Sequence, residues 1–299
     1  MNDEKIVIIV THGMGKQDKK PKFSLKYKTI FDKAALRFEK RVRKKFEKEG
    51  GDNDKLVFTP VNWADAAQEL QTELRERLMK RSERQKCNGD KIRACLCWRP
   101  VRGFMVDMLA DAIVYQQTPN SRSIYDKIHA KFSNALKEQA EKAGENSKLC
   151  VLAHSLGTVI TNNFLFDLQY CKKKNEHDPT VCGDTPLERG ETLKSVYTMG
   201  SPLALWTIRH NPPKFGKPIE VDTWINFYNK NDVMAYPLGN LNEEYNELRC
   251  NAEKGVKPML LDQQVCAGNI LTKWNPLSHN GYWTNKKMIK IIVNDLLKL

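Results

Sequence analysis

Five short apolar segments, separated by stretches with a helical pattern, constrain the fold of this chain more than any other feature. Each is nearly continuous in apolar or β-forming residues, which is typical of strands covered on both faces of a sheet. Strands that alternate with helices predict an α/β fold with a doubly wound, mostly parallel sheet of at least five strands. The predicted strands are residues 6–10, 56–61, 149–153, 193–199 and 223–228.

Apolar residues at intervals of three and four predict the helices between these strands. The first helix ends at the pair Gly50 and Gly51, and its apolar positions are Phe31, Ala35, Phe38, Val42 and Phe46. Further helices are predicted over residues 64–86, 123–143, 156–170 and 286–299.

A length of 299 residues allows one large α/β domain or two small ones, and we expect a single domain over residues 1–299. The connection over residues 62–148 is longer than one crossover helix needs, which predicts a helical cap over about residues 64–145. Residues 171–192 and 233–278 are polar and poorly periodic, and they are predicted to be loop insertions.

The formal net charge of +13 is concentrated in two segments. Residues 16–48 carry +10 and residues 79–102 carry +6, which leaves −3 for the remainder. The ordinary interpretation of the first segment is an amphipathic helix with a solvated, lysine-rich face. The alternative is a docking face for anionic lipid or nucleic acid. Because Trp98 lies among the cations of the second segment, we favour peripheral contact with an anionic membrane over nucleic acid.

No apolar run is long enough to cross a bilayer, and the first residues lack the layout of a signal peptide, so we expect a soluble, cytoplasmic protein. A disulfide framework is therefore not expected from the eight cysteines. Cys87, Cys95 and Cys97 form the one cluster, and it lacks the paired spacing or nearby histidine of a zinc site.

The third predicted strand is followed directly by a helical pattern, and the junction reads Ala153-His154-Ser155-Leu156-Gly157. A serine between small residues at such a strand–turn–helix junction is typical of a nucleophile elbow, here with alanine in place of the usual first glycine. The sharp turn would hold the Ser155 hydroxyl above the sheet. We therefore predict Ser155 as a catalytic nucleophile, and a packed turn is the alternative.

The first strand ends in the small-residue turn His12-Gly13-Met14-Gly15. In serine hydrolases such a turn supplies one backbone N–H to the oxyanion, and the residue after the nucleophile supplies the other. The predicted donors are therefore the N–H groups of Met14 and Leu156. His12 is predicted to hold the turn.

A catalytic acid and a base are expected after the nucleophile, in that order. Asp232 follows the fifth predicted strand, and His279 is the one histidine beyond it. Asp262 is the reserve candidate for the acid. For His279, the alternative is a buried imidazole in a packed aromatic loop.

The chain resembles the α/β-hydrolase superfamily through its HGMG and AHSLG segments, the strand leading to Asn231-Asp232, and the late His279. More narrowly, it is similar to a poorly characterised group of bacterial lipase-like hydrolases through three segments: VNW at 61–63, NFYNKND at 226–232 and WNPLSHNGYWT at 274–284. The resemblance implies a Ser155–His279–Asp232 triad and hydrolysis through an acyl-enzyme.

These features together predict a serine hydrolase that cleaves a carboxylic ester and needs no metal or organic cofactor. An acyltransferase or a thioesterase on the same site is the first alternative, because this fold hosts several related reactions. The alternative of another class is a non-catalytic module that binds lipid or nucleic acid on a hydrolase scaffold.

Overall fold

Six strands form one sheet in the computed structural model, which describes residues 4–13, 30–64, 66, 73, 112–113, 115, 123–174, 183–207, 218–250, 259–268 and 276–299. All neighbouring strands are parallel, and their order is β2-β1-β3-β4-β5-β6. The strands are β1 (Ile6–Thr11), β2 (Leu56–Val61), β3 (Lys148–His154), β4 (Leu193–Met199), β5 (Thr223–Tyr228) and β6 (Leu260–Gln264). The predicted fold class, α/β with a doubly wound parallel sheet of at least five strands, is confirmed.

The sheet changes its winding direction between β1 and β3. From β1 the chain moves to β2 on one side, and from β3 onward it adds strands in sequence on the other side. In open α/β sheets, ligands bind beyond the carboxyl ends of the strands at such a switch point. The fold therefore predicts a ligand site at the turns that follow β1 and β3.

Helices cover both faces of this sheet. Helices α1 and α6 share one buried cluster with the residues on one side of the sheet, whereas α2 and α3 share a second cluster with the other side. The described residues form six α-helices: α1 (Ile30–Lys48), α2 (Ser123–Ala143), α3 (Leu156–Lys174), α4 (Leu203–Trp206), α5 (Glu243–Cys250) and α6 (Lys286–Leu296).

The central strand β1 shows why the apolar runs are continuous. Ile6, Ile8 and Val10 belong to the cluster with α1 and α6, and Val7 and Ile9 belong to the cluster with α2 and α3. Because side chains alternate between the faces of a strand, both faces must be apolar here.

Two predicted insertions contain regular elements that pack against the sheet or extend it. Residues 123–143, at the end of the predicted cap over 64–145, form α2, which packs against the sheet because a parallel crossover from β2 to β3 needs a helix. The predicted loop over residues 233–278 contains α5 and the sixth strand, β6. Only one residue of β6 is buried, so the strand lacks the apolar signature of the central ones.

Most of residues 65–122, the basic segment 79–102 and Cys87, Cys95 and Cys97 lie outside the described residues. In the predicted loop 171–192, helix α3 continues to Lys174 and turns occupy residues 184–192. Among the described helices, none is both long and apolar enough to cross a membrane.

Candidate active site

Ser155 occupies a one-residue turn between the end of β3 and the start of α3. Its φ angle is 55°, and among the described residues it is the one non-glycine residue with a positive φ. A left-handed backbone conformation is unfavourable for a residue with a side chain, and such strain is concentrated at functional sites. A strained serine at such a strand–turn–helix junction is the local geometry that the sequence predicted here.

The turn after β1 lies directly against this serine. A Cβ atom placed on Gly13 would come within 2.4 Å of the Ser155 Cβ, and one on Gly157 would come within 2.3 Å of the His12 carbonyl oxygen. Neither position therefore has room for a side chain, which explains both glycines. Ala153 is fully buried on β3 and is also small.

His12 is buried and holds the end of β1. Its Nδ1 donates to the Gly13 carbonyl over 2.6 Å, and its ring stacks on Trp63 with 4.9 Å between centroids. The Trp63 indole N–H donates to the His12 carbonyl over 2.9 Å. These contacts tie the turn after β1 to the end of β2, which is the holding role predicted for His12.

His279 connects the serine to a carboxylate. The Ser155 hydroxyl donates to His279 Nε2 over 2.7 Å, and His279 Nδ1 donates to Asp232 Oδ2 over 2.8 Å. His279 lies on a short 3-10 helix, Pro276–Asn280, that precedes α6, and Asp232 lies on the turn after β5. The structure thus brings together three side chains from widely separated parts of the sequence.

Asp232 is held as a carboxylate by several donors. Its side chain is fully buried, and burial alone would raise its pKa. The hydrogen bond and the charge interaction with His279, the Met234 N–H and the Tyr282 hydroxyl together outweigh burial and lower the pKa. The Met234 N–H donates to Oδ1 over 3.0 Å, and the Tyr282 hydroxyl donates to Oδ2 over 2.9 Å.

The loop that carries His279 is fixed by two further contacts. His154 Nε2 donates to the His279 carbonyl over 2.8 Å, and the two imidazole rings lie 4.8 Å apart. Burial, and next the charge of His279, lower the pKa of His154 to about 3, so this imidazole stays neutral near pH 7. Ser155 and His279 are therefore linked through the neighbouring residue His154 as well as through their own side chains.

Sequence reasoning did not identify the roles of Tyr282, His154 and Gly200. Gly200, after β4, has a φ of 62°, and a Cβ atom there would lie 3.1 Å from His279 Cε1. The absence of a side chain at Gly200 leaves room for the His279 imidazole. Tyr282 begins a second short 3-10 helix, Tyr282–Thr284, and no sequence pattern indicated its contact with Asp232.

The reserve acid Asp262 serves a different purpose. It lies on β6, where its carboxylate accepts hydrogen bonds from Asn226 Nδ2 at 2.7 Å and from the N–H groups of Leu238 and Gly239 at 2.9 and 2.8 Å. All of these partners belong to β5 or to the segment after Asp232. Asp262 therefore holds that segment against the sheet, and the acid beside His279 is Asp232.

One of the two predicted oxyanion donors, Leu156, lies among the described residues. Leu156 is the first residue of α3, so its N–H belongs to the group at a helix start that has no acceptor within the helix. Met14 and Gly15 lie outside the described residues.

Comparison with protein-family models and with curated proteins finds no match. Among solved structures, the chain is similar to a cutinase-like protein from Cryptococcus sp., with a TM-score of 0.38 and 10% sequence identity. That alignment covers 98% of this chain and 94% of the other. We draw no functional conclusion from a likeness at this level.

Proposed function

We propose that this chain is a serine hydrolase that cleaves a carboxylic ester through an acyl-enzyme, with Ser155, His279 and Asp232 as the catalytic triad. The observation that carries the proposal is the position of the His279 ring, 2.7 Å from the Ser155 hydroxyl and 2.8 Å from the Asp232 carboxylate. Nε2 thus faces the hydroxyl proton that a general base removes, and Nδ1 faces the carboxylate that orients the ring.

In the first half-reaction, neutral His279 removes the hydroxyl proton as Ser155 Oγ attacks the ester carbonyl carbon. Asp232 fixes the tautomer with the proton on Nδ1 and stabilises the imidazolium that forms. The negative charge on the carbonyl oxygen is held by backbone N–H groups, for which we assign Leu156 and, from the sequence, Met14. Each donor of this kind contributes about 3–4 kcal/mol to transition-state stabilisation.

The tetrahedral intermediate then collapses, and its bond to the leaving oxygen breaks. His279 Nε2 gives its proton to the leaving alkoxide, which departs as an alcohol and leaves an acyl group on Ser155. Water, deprotonated by His279, attacks the acyl carbon, and the same steps release the carboxylic acid and restore the serine.

The same residues would serve an acyltransferase or a thioesterase. The first differs in the acceptor, which is an alcohol or amine instead of water, and the second differs in the leaving atom, which is sulfur. Product analysis in the presence and absence of an acceptor alcohol separates transfer from hydrolysis. Rates on matched oxygen and thiol esters separate the ester from the thioester preference.

A non-catalytic binding module accounts less well for the site. The positive φ at Ser155 costs about 1–3 kcal/mol, and a module that only binds has no use for that strain. Such a module also has no need for a histidine that joins a strained serine to a buried carboxylate.

The direct test is covalent labelling with a fluorophosphonate, which reacts with activated serines. We expect one labelled site in the wild-type chain and none in Ser155→Ala. The matched control is Ser278→Ala, the same change at a buried serine beside His279 whose hydroxyl has no hydrogen-bond partner among the described residues. Labelling of Ser155→Ala at the wild-type rate would refute the triad.

A further inference from the structure

Helices α1 and α6 form one layer on the same face of the sheet. Their buried side chains belong to a single cluster, and the Phe38 ring meets the Trp283 ring edge-on at 5.8 Å. The Arg41 guanidinium donates to the Thr284 carbonyl over 3.2 Å, just before α6 begins. The outer surfaces of the two helices therefore form one continuous face.

The outward side of α1 is almost entirely cationic. Positions Ala35, Phe38, Val42 and Phe46 are buried, so the opposite side of the helix faces outward. That side carries one exposed acid, Glu47, and six cations: Lys33, Arg37, Lys40, Arg41, Lys44 and Lys48. Lys33 is half-buried, and the other five cations are exposed.

Helix α6 extends this cationic surface. Its exposed positions include Lys286, Lys287 and Lys290. The pKa of Glu49, at the end of α1, is lowered first by its hydrogen bond with Lys45 and also by the charge of Lys290. Lys290 of α6 therefore acts on the charge at the end of α1. We call the six cations of α1 and these three cations of α6 the basic face.

Neighbouring cations of α1 are already used within the protein. Arg43 pairs with Glu39 over 2.7 Å, and Lys45 pairs with Glu49. By contrast, Arg37, Lys40, Lys44 and Lys48 have no ion pair among the described residues. A concentration of like charge destabilises the compact state through repulsion, and an anionic partner would relieve that repulsion.

We propose that the basic face is a docking surface for the anionic surface of a lipid bilayer. Seven of its nine cations are lysines, whose compact charge suits a diffuse negative potential, whereas the planar arginine fork suits phosphates at fixed positions. Among the described residues, no exposed position of α1 or α6 carries an aromatic side chain on which a nucleic-acid base could stack. The charge, the flat two-helix support and this composition favour lipid over nucleic acid.

The test uses the full chain and two kinds of vesicle, phosphatidylcholine alone and phosphatidylcholine with phosphatidylserine. We expect sedimentation with the second kind and not with the first, and we expect added salt to release the protein. Each lysine or arginine near an anionic surface contributes about 1 kcal/mol, so the triple variant Arg37→Glu, Lys40→Glu, Lys44→Glu should bind at least about 100-fold more weakly.

The control is a second triple variant with the same change in net charge on the opposite face of the sheet. Lys127, Lys137 and Lys142 are exposed on α2, and their replacement by glutamate should leave vesicle binding within about a factor of three, because distant exposed charges are screened. A separate variant of α6, Lys286→Glu with Lys290→Glu, should weaken binding in the same direction as the triple variant of α1.

Three results would overturn the proposal. The first is failure of the wild-type chain to sediment with phosphatidylserine vesicles, and the second is vesicle binding by the basic-face variants as strong as that of the α2 control. The third is tighter binding of a labelled DNA duplex than of vesicles at the same salt concentration, which would assign the face to nucleic acid. Ser155→Ala should bind vesicles like the wild type, so failure of this proposal and failure of the proposed hydrolase are distinguishable.

Discussion

At the scale of single residues, Tyr282 is the side chain outside the proposed triad that supports it most directly. Its hydroxyl accepts the Asn229 N–H over 3.0 Å and donates to the Asp232 carboxylate over 2.9 Å. Burial, and next the charge of Asp232, raise the pKa of Tyr282, so the hydroxyl keeps its proton and remains a donor. Tyr282 therefore acts on the reaction through Asp232 and is a positioning residue.

We expect Tyr282→Phe to lower kcat/KM by about 10- to 100-fold, because a hydrogen bond to a charged group contributes about 1.5–3 kcal/mol. Asp232→Asn should lower it by about 10,000-fold, since the base then loses its orienting carboxylate. Both variants are assayed on a p-nitrophenyl ester. Equal losses in the two variants would contradict the assignment of Tyr282 as a support for Asp232.

At the scale of elements, β6 shows how an edge strand supports the site without taking part in it. The Asp262 carboxylate on β6 satisfies the N–H groups of Leu238 and Gly239, which lie shortly after Asp232 in the chain. A carboxylate that accepts backbone N–H groups fixes a loop that has no regular structure of its own.

Asp262→Ala should therefore lower the free energy of unfolding by about 1–3 kcal/mol, the cost of leaving buried donors unsatisfied. The folded fraction of this variant should still react with a fluorophosphonate, whereas Asp232→Asn should lose reactivity and keep most of its stability. Denaturant unfolding and labelling are measured on both variants. Loss of labelling in fully folded Asp262→Ala would return Asp262 to consideration as the acid.

The same elements show how far the sequence predicts this structure. Strands β1 to β5 were predicted to within one residue at each end. In the four inner strands, β1, β3, β4 and β5, burial on both faces favours continuous apolar runs. Strand β6 was missed because only Leu260 in it is buried and its three C-terminal residues are polar. Its polar residues are explained by hydrogen bonds to a neighbouring loop, which periodicity does not reveal.

For the site, the order along the chain identified the three residues that the structure brings together, since each follows the end of a strand or precedes the last helix. The contacts of Tyr282 with Asp232 and of His154 with the His279 carbonyl were not predictable. They depend on how the loop before α6 folds back onto the turn after β3, and no local pattern specifies that approach.

At the scale of the whole molecule, the buried His154 makes stability depend on pH. In the unfolded chain a histidine gains its proton near pH 6.5, whereas in the folded chain His154 stays neutral down to about pH 3. Between these values the unfolded chain binds more protons, so the free energy of unfolding falls as the pH is lowered. The lowered pKa of Asp232 acts in the same direction, but only below about pH 4.

We expect His154 to account for about 2 kcal/mol of the stability lost between pH 7 and pH 5. The variant His154→Gln retains a donor for the His279 carbonyl and has no titrating group, so its loss over this range should be smaller by that amount. Urea unfolding at the two pH values measures both proteins. Equal losses in the two proteins would show that His154 is not held neutral by burial.

The order of the site residues along the chain also determines when reactivity is expected during synthesis. Synthesis runs from the N-terminus, so β1, β3 and the strained serine are produced first, and the acid and base follow about 80 and 120 residues later. In the proposed mechanism, Ser155 lacks its base, His279, until the loop before α6 docks on the turn after β3. We therefore expect a growing or truncated chain that ends before residue 276 to be unreactive toward a fluorophosphonate, so that labelling would report completed folding of the C-terminal segment.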